Sequence, residues 1–166
     1  MLEAHDRLDP DDRGAATVTV TLAFADRQRS RLRARLDDGR ELGIFLPRGT
    51  VLRDGDRLVA RDGTVVAVQA AAEPVSIARA ATWPDLVRAA YHLGNRHVPL
   101  EVGDGWLRFG RDHVLDQMVR GLGLLVAHEE APFEPEPGAY GGHGPSHGHA
   151  HAAAPLAPVV RRSAQA

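Results

Sequence analysis

Residues 75–130 read VSIARAATWPDLVRAAYHLGNRHVPLEVGDGWLRFGRDHVLDQMVRGLGLLVAHEE, and their apolar period switches between two and 3.6 along the way. Val75–Ala80 alternates as a short strand. Thr82 is an N-cap with Pro84 in the first turn, where a missing N–H costs little. Leu86, Val87, Ala90 and Tyr91 then make an apolar stripe of helical spacing, and Gly94 closes the helix. Val98–Val102 is a strand, Gly103-Asp104-Gly105 a hairpin turn and Trp106–Phe109 its partner. Asp112 caps a second helix with Val114, Leu115, Met118 and Val119 facing inward, and Leu124–Glu130 is the last strand. The order β-α-β-β-α-β predicts a ferredoxin-like unit.

Upstream, only the strand period is present. Thr17–Phe24 is rich in β-branched residues, and Arg31–Leu36 alternates with Leu32, Ala34 and Leu36 on one face. Asp38-Gly39 turns into Glu41–Leu46, and Pro47-Arg48-Gly49 breaks the chain. Asp54-Gly55 and Asp62-Gly63 bracket strands at Arg57–Ala60 and Thr64–Ala71. With no helical window among them, these predict a small all-β domain, a split barrel or sandwich, over residues 15–73. Glu73-Pro74 is its expected boundary. Residues 1–14, with Asp9, Pro10, Asp11 and Asp12, read as a disordered lead-in. The ferredoxin-like domain is expected over 75–137. Residues 138–166, rich in Gly, His, Ala and Pro without apolar period, read as a disordered His-rich tail. The fold class is α+β. Each unit of about 60 residues is marginal alone, so dimerisation is expected.

Composition narrows the function. The 166 residues carry 20 basic and 22 acidic side chains, a net −2, which argues against nucleic acid as a partner held by a basic face. Every basic residue is arginine, which removes Schiff-base and P-loop lysine chemistry. With Cys 0, thiolate nucleophiles and thiolate metal ligands are excluded. No apolar run approaches the roughly 20 residues of a membrane span, and the polar start does not resemble a signal peptide. A soluble, cytoplasmic protein is the expectation. Hydrolase, zincin, P-loop and dinucleotide motifs are missing, and no acidic pair stands out as general acid and base. A small metal-dependent hydrolase would need three fixed ligands and an open position.

Histidine is the unusual component. His143, His147, His149 and His151 fall within nine residues, spaced by Gly, Pro, Ser and Ala. Neutral imidazole suits Ni, Cu and Zn, and a flexible tract can wrap an ion and exchange it quickly. His97, between the first helix and the hairpin, is either an exposed ligand on a rigid loop or a partner of the helix C-terminus. His113 follows the N-cap Asp112, where the helix end favours a neutral, ligand-competent ring. An exposed helix residue without a role is the other reading. His92 is explained by the helix end, His128 by a surface or edge position, and His5 is uninformative. The stripe Arg31, Arg33, Arg35 is the solvent face of a strand that could receive an acidic partner.

Three segments then carry a family resemblance. Residues 91–100 (YHLGNRHVPL), Asp112-His113-Val114-Leu115-Asp116 and residues 132–140 (PFEPEPGAY), followed by the histidine tail, resemble the UreE family of urease accessory proteins, the nickel metallochaperones for urease. The N-terminal domain is similar mainly in length, strand pattern and the segment Gly43–Gly49. The resemblance implies a homodimer joined through the ferredoxin-like domains, with His97 of each subunit holding one Ni(II) between them. His143, His147, His149 or His151 would supply the extra ligands. It implies an N-terminal protein-docking module, and delivery to the urease accessory GTPase and on to apo-urease with its other accessory proteins. Zn(II) and Cu(II) are competing ions. Some members carry an H-x-H pair ending at the position of His113; here its first position is Arg111, which leaves His113 the weaker ligand. The alternative function is a client-free nickel buffer that needs only the tail.

Overall fold

Six short strands of period-two sequence form the first sheet in the computed structural model, which describes residues 1–9 and 15–138. They are β1 (Leu2–Arg7), β2 (Val18–Leu22), β3 (Arg31–Arg35), β4 (Glu41–Phe45), β5 (Arg57–Ala60) and β6 (Val65–Ala70), in the order β2-β6-β5-β1-β4-β3. Inward positions carry Val20, Leu22, Leu42, Ile44, Leu58, Val66 and Val68, all buried, while Arg31, Arg33 and Arg35 of β3 face out. The sheet rolls almost into a barrel. Just past β3, the Asp37 amide donates to Thr19 O of β2 at 2.9 Å, and the Thr21 hydroxyl donates to the Asp37 carboxylate at 3.1 Å. The two edge strands are thereby bridged, which hides edges that would otherwise pair with other chains.

The expected disordered lead-in is corrected here: Leu2–Arg7 is a central strand. Leu2↔Leu42 and Ala4↔Ile44 pair parallel to β4, and Ala4↔Ala60 pairs antiparallel to β5. Only Ala4 of β1 is fully buried, so acidic Glu3 and Asp6 mask the pattern. Backbone bonds on both sides hold this strand, and they leave no trace in side-chain hydropathy. Residues 10–14 lie outside the described residues.

The expected absence of helix in this domain also needs correction. The strand read as Thr17–Phe24 ends at Leu22, and α1 (Phe24–Arg27) follows as one turn. A single turn has no period to read. Its free Phe24 N–H is capped by the Glu73 carboxylate at 2.8 Å, a contact remote in sequence.

The second sheet has the βαββαβ order expected. It comprises β7 (Ala72–Arg79), α2 (Trp83–Gly94), β8 (Glu101–Gly103), β9 (Trp106–Gly110), α3 (His113–Gly121) and β10 (Leu125–Pro132). The strand order β10-β7-β9-β8 is antiparallel throughout, the ferredoxin-like arrangement. Glu73 and Pro74 lie inside β7, and only Ala71 separates it from β6. Pro74 is paired with Glu130 of β10 but precedes the β7–β9 register, which begins at Val75↔Gly110, so no strand lies against it on that second side. The helices pack Leu86, Ala89, Leu93 and Val119 on Ala78, Leu107 and Phe109.

Thr82 caps α2 as expected, accepting from the Asp85 amide. The stripe facing the sheet differs. Leu86, Ala89 and Leu93 are buried, whereas Trp83, Val87 and Tyr91 stand 68%, 49% and 64% exposed at i, i+4 and i+8. The helix has two apolar faces and the sheet covers one. Gly94 lies within α2 and Asn95 is its C-cap, so the expected closure at Gly94 moves on by one residue. On α3, Val119 is buried, Leu115 and Met118 are half-buried, and Val114 faces outward at 59% exposure. The expected tail lies, from 139 onward, outside the described residues.

If β1 is integral to the first sheet, Ala4→Asp should lower unfolding free energy by about 3 kcal/mol, since a buried carboxylate would have no partner. Urea unfolding followed by circular dichroism measures this; a disordered lead-in would give no change.

Candidate metal site and inter-domain cleft

His97 is presented by a loop pinned at both ends. The Asn95, Arg96 and His97 amides donate to Tyr91 O, Leu93 O and Gly94 O at 2.9–3.0 Å, and the Val98 amide reaches back to Leu93 O. These bonds close the end of α2. They put His97 at φ 55, the one left-handed non-glycine residue among those described. Such a conformation costs about 1 kcal/mol for an L side chain. The alternative role for its ring, bonding the helix C-terminus, is taken by Arg96, whose Nη1 donates to His92 O at 2.9 Å. The His97 imidazole is exposed and has no hydrogen bond or ion pair among the described residues.

His113 is the first residue of α3 and is exposed. The Asp112 carboxylate beside it accepts from the Val114 and Leu115 amides at 2.8 and 3.1 Å. Among the described residues no three His, Asp or Glu side chains are grouped so that they could hold a metal ion. His143, His147, His149 and His151 lie outside the described residues. His92 is half-buried with its ring edge-on to Tyr91.

His128 stands exposed on the edge strand β10, as expected, and its ring is engaged there. Its Nε2 lies 2.6 Å from Oδ2 of Asp116, a carboxylate only 3% exposed on α3. Ser76, the cross-strand partner of His128, is fully buried beside them, off hydrogen-bond geometry. Burial by itself would raise the Asp116 carboxyl. The His128 ring, through its hydrogen bond and charge, and last the Arg120 charge, with the polar Ser76 hydroxyl alongside, outweigh burial and hold it below the usual carboxylate value. The signal in the sequence was an acidic residue on the apolar side of α3, three positions before Val119.

A second set of residues joins the domains: Arg27 and Arg53, with no role suggested by the sequence, and the segment 133–136, noted there for its resemblance alone. Arg27 is fully buried. Its Nε donates to Leu22 O at 3.3 Å, Nη1 to Leu52 O at 3.2 Å, and Nη2 to Phe133 O at 2.5 Å; Nη1 also ion-pairs with Glu134. Arg53 Nη1 holds the other Glu134 oxygen at 3.2 Å and Pro135 O at 2.7 Å. Phe133 is buried edge-on to Phe24. On the ferredoxin-like side, the Glu134 amide donates to Glu101, which is bidentate with Arg108, and the Glu136 amide donates to Leu100 O at 2.8 Å. Residues 133–136 thus strap the N-terminal domain to the strand that follows His97.

The strap leaves a cleft of about 1130 Å³ between the 47–53 loop and the His97 loop. Arg48, Arg53, His97, Leu100, Glu136 and Gly138 are among its walls. The last described residue before the histidine tail therefore lines the same cleft as His97.

Comparison with known proteins agrees with this architecture. The model of the UreE urease accessory protein N-terminal domain matches residues 1–71, and that of the UreE C-terminal domain matches residues 73–154. The fold and these matches define the class first: an accessory protein that serves urease and is not itself an enzyme. Relatives bearing the name urease accessory protein UreE include one from Alkalilimnicola ehrlichii, 64% identical over 76% of this chain and 78% of its own. One from Teredinibacter turnerae is 56% identical over 87% and 94%, and one from Burkholderia orbicola 53% identical over 86% and 72%. The chain belongs to the UreE family.

Two outcomes follow from the geometry. Arg27→Met should cost about 3 kcal/mol by leaving Glu134 without its buried partner, and adding Glu134→Gln should recover part of the loss; denaturant midpoints of both variants test this. For Asp116, the folded carboxyl titrates below its unfolded value of 3.8. The stability it adds is therefore present above that value and lost as pH falls through the folded one. Asp116→Asn should destabilise at neutral pH, and the gap to wild type should close on acidification; urea unfolding across a pH series reads the gap.

Proposed function

We propose that this protein is a homodimeric, cytoplasmic nickel metallochaperone, which binds Ni(II) through His97 and passes it by way of the urease accessory GTPase to apo-urease. The observation that carries the reading is the His97 imidazole itself. It is exposed, unengaged by the described residues and held on a strained, pinned backbone at the wall of the inter-domain cleft. Imidazole is a ligand suited to nickel, and the chain has no thiolate to capture softer ions.

Dimerisation is supported by the exposed stripe Trp83, Val87 and Tyr91, which runs along α2 toward the His97 loop. An apolar face of this kind marks an interaction site, and a two-fold pairing of α2 helices would draw two His97 rings toward each other. The outer ligands are His143, His147, His149 and His151. His143 lies five residues beyond Gly138, a reach of at most about 18 Å in extended chain. His113, with Arg111 two positions before it, is the weaker ligand. Zn(II) and Cu(II) compete for the same donors, and acid releases the ion by protonating its ligands.

Nickel calorimetry with parallel sedimentation, on the intact chain, His97→Ala and a truncation after Tyr140, tests the proposal. The tightest site should hold one nickel per dimer and vanish in His97→Ala, while truncation should weaken it and remove the outer ions. If His97→Ala keeps that site and truncation alone removes binding, the protein is a client-free buffer and the proposal fails.

A further inference from the structure

The charge of the cleft is unaccounted for by metal binding. Gln28 and Arg48 line both it and an adjoining recess bordered by Arg29, Ser30, Arg31 and Leu46, so the two form one groove. Five arginines line this groove (Arg7, Arg29, Arg31, Arg48 and Arg53), and of its lining residues only Glu136 is acidic. Arg7 is paired with Asp56 and Arg53 with Glu134, and Arg29 has an exposed partner in Asp26. Arg31 and Arg48, both exposed, have no acidic partner among the described residues. The part of the groove that holds His97 is lined by Arg7, Arg48 and Arg53 and also by apolar Phe24, Val51, Val98, Pro99 and Leu100.

We infer that this groove docks an acidic, carboxylate-bearing segment of the protein that receives the nickel. The identity of that partner rests on the nickel-carrier reading above. Guanidinium groups recognise carboxylates through paired N–H donors, and the apolar stretch takes the side chains between them. Nickel moves by ligand exchange, so an acceptor must bring its own donors to the ion; a segment seated in this groove ends beside His97. The chain's own tail is the wrong occupant on charge. Residues 139–166 contain Arg161, Arg162 and four histidines, and no Asp or Glu.

Fluorescence anisotropy on the full-length protein, with and without nickel, tests this with a fluorescein-labelled peptide ELEELE and its neutral counterpart QLQQLQ. The acidic peptide should bind more tightly than the neutral one, lose affinity as salt rises, and bind about tenfold more weakly to the double variant Arg31→Glu/Arg48→Glu. Arg79→Glu, outside the groove, should leave binding unchanged. Nickel titration of the double variant should match wild type. The inference is overturned if the two peptides bind alike, or if the double variant binds ELEELE as wild type does. It is also overturned if inorganic tripolyphosphate outcompetes the peptide, marking a phosphate site, or if the double variant instead loses its self-association, marking a second copy as occupant. Failure of wild type to bind nickel would overturn the carrier reading alone, leaving peptide binding to be scored independently.

Discussion

A guanidinium without solvent must find every acceptor inside the protein, and Arg27 finds them in two domains at once. Leu22 O and Leu52 O belong to the N-terminal sheet and its loops, while Phe133 O and the Glu134 carboxylate come from beyond β10. Burying such a charge is tolerable only when all of these are in place together. The two sheets are therefore held in one geometry by a shared polar knot rather than by a broad apolar interface. From Glu134 the network continues through Glu101 to Arg108 and Glu129, across the sheet face that the helices leave uncovered. The cleft depends on this knot, because it is the space left between elements that the knot fixes.

His97 shows what that fixed geometry serves. A glycine stands three residues earlier, inside α2, yet the left-handed position falls on a histidine. The strain is sustained because backbone bonds close the helix end on one side and the Glu136 amide holds Leu100 on the other. An imidazole so placed keeps both ring nitrogens free of the described residues, in contrast to His128, whose ring is engaged with a buried carboxylate. Two histidines of one domain thus have opposite chemistry, set by what each ring touches: His128 fastens α3 to β10, and His97 remains available.

The parts of this protein that sequence reading recovered share one property, a period that burial on one side imposes on neighbouring residues. The β-α-β-β-α-β order, the caps Thr82 and Asp112 and the turns of the first domain were all legible for that reason. Where burial is not periodic the reading failed. β1 sits mid-sheet with Ala4 as its one fully buried residue, α1 is a single turn capped by Glu73 from another domain, and α2 carries two apolar stripes with no internal sign of which meets the sheet.

For the site, the residue types set the chemistry in advance: imidazoles without thiolates, in loops and a low-complexity tail, with arginines along β3. Those are properties of local sequence, and a single chain carries them whatever its fold. The left-handed backbone at His97, the Asp116–His128 pair and the Arg27–Glu134 clamp were decided only by tertiary structure. The last two join groups 12 and 107 positions apart, and the first, set by short helix-end bonds, is backed by the remote bond from the Glu136 amide to Leu100 O. Their energies come from desolvation and mutual satisfaction of polar groups, and those arise only once the chain has closed around them.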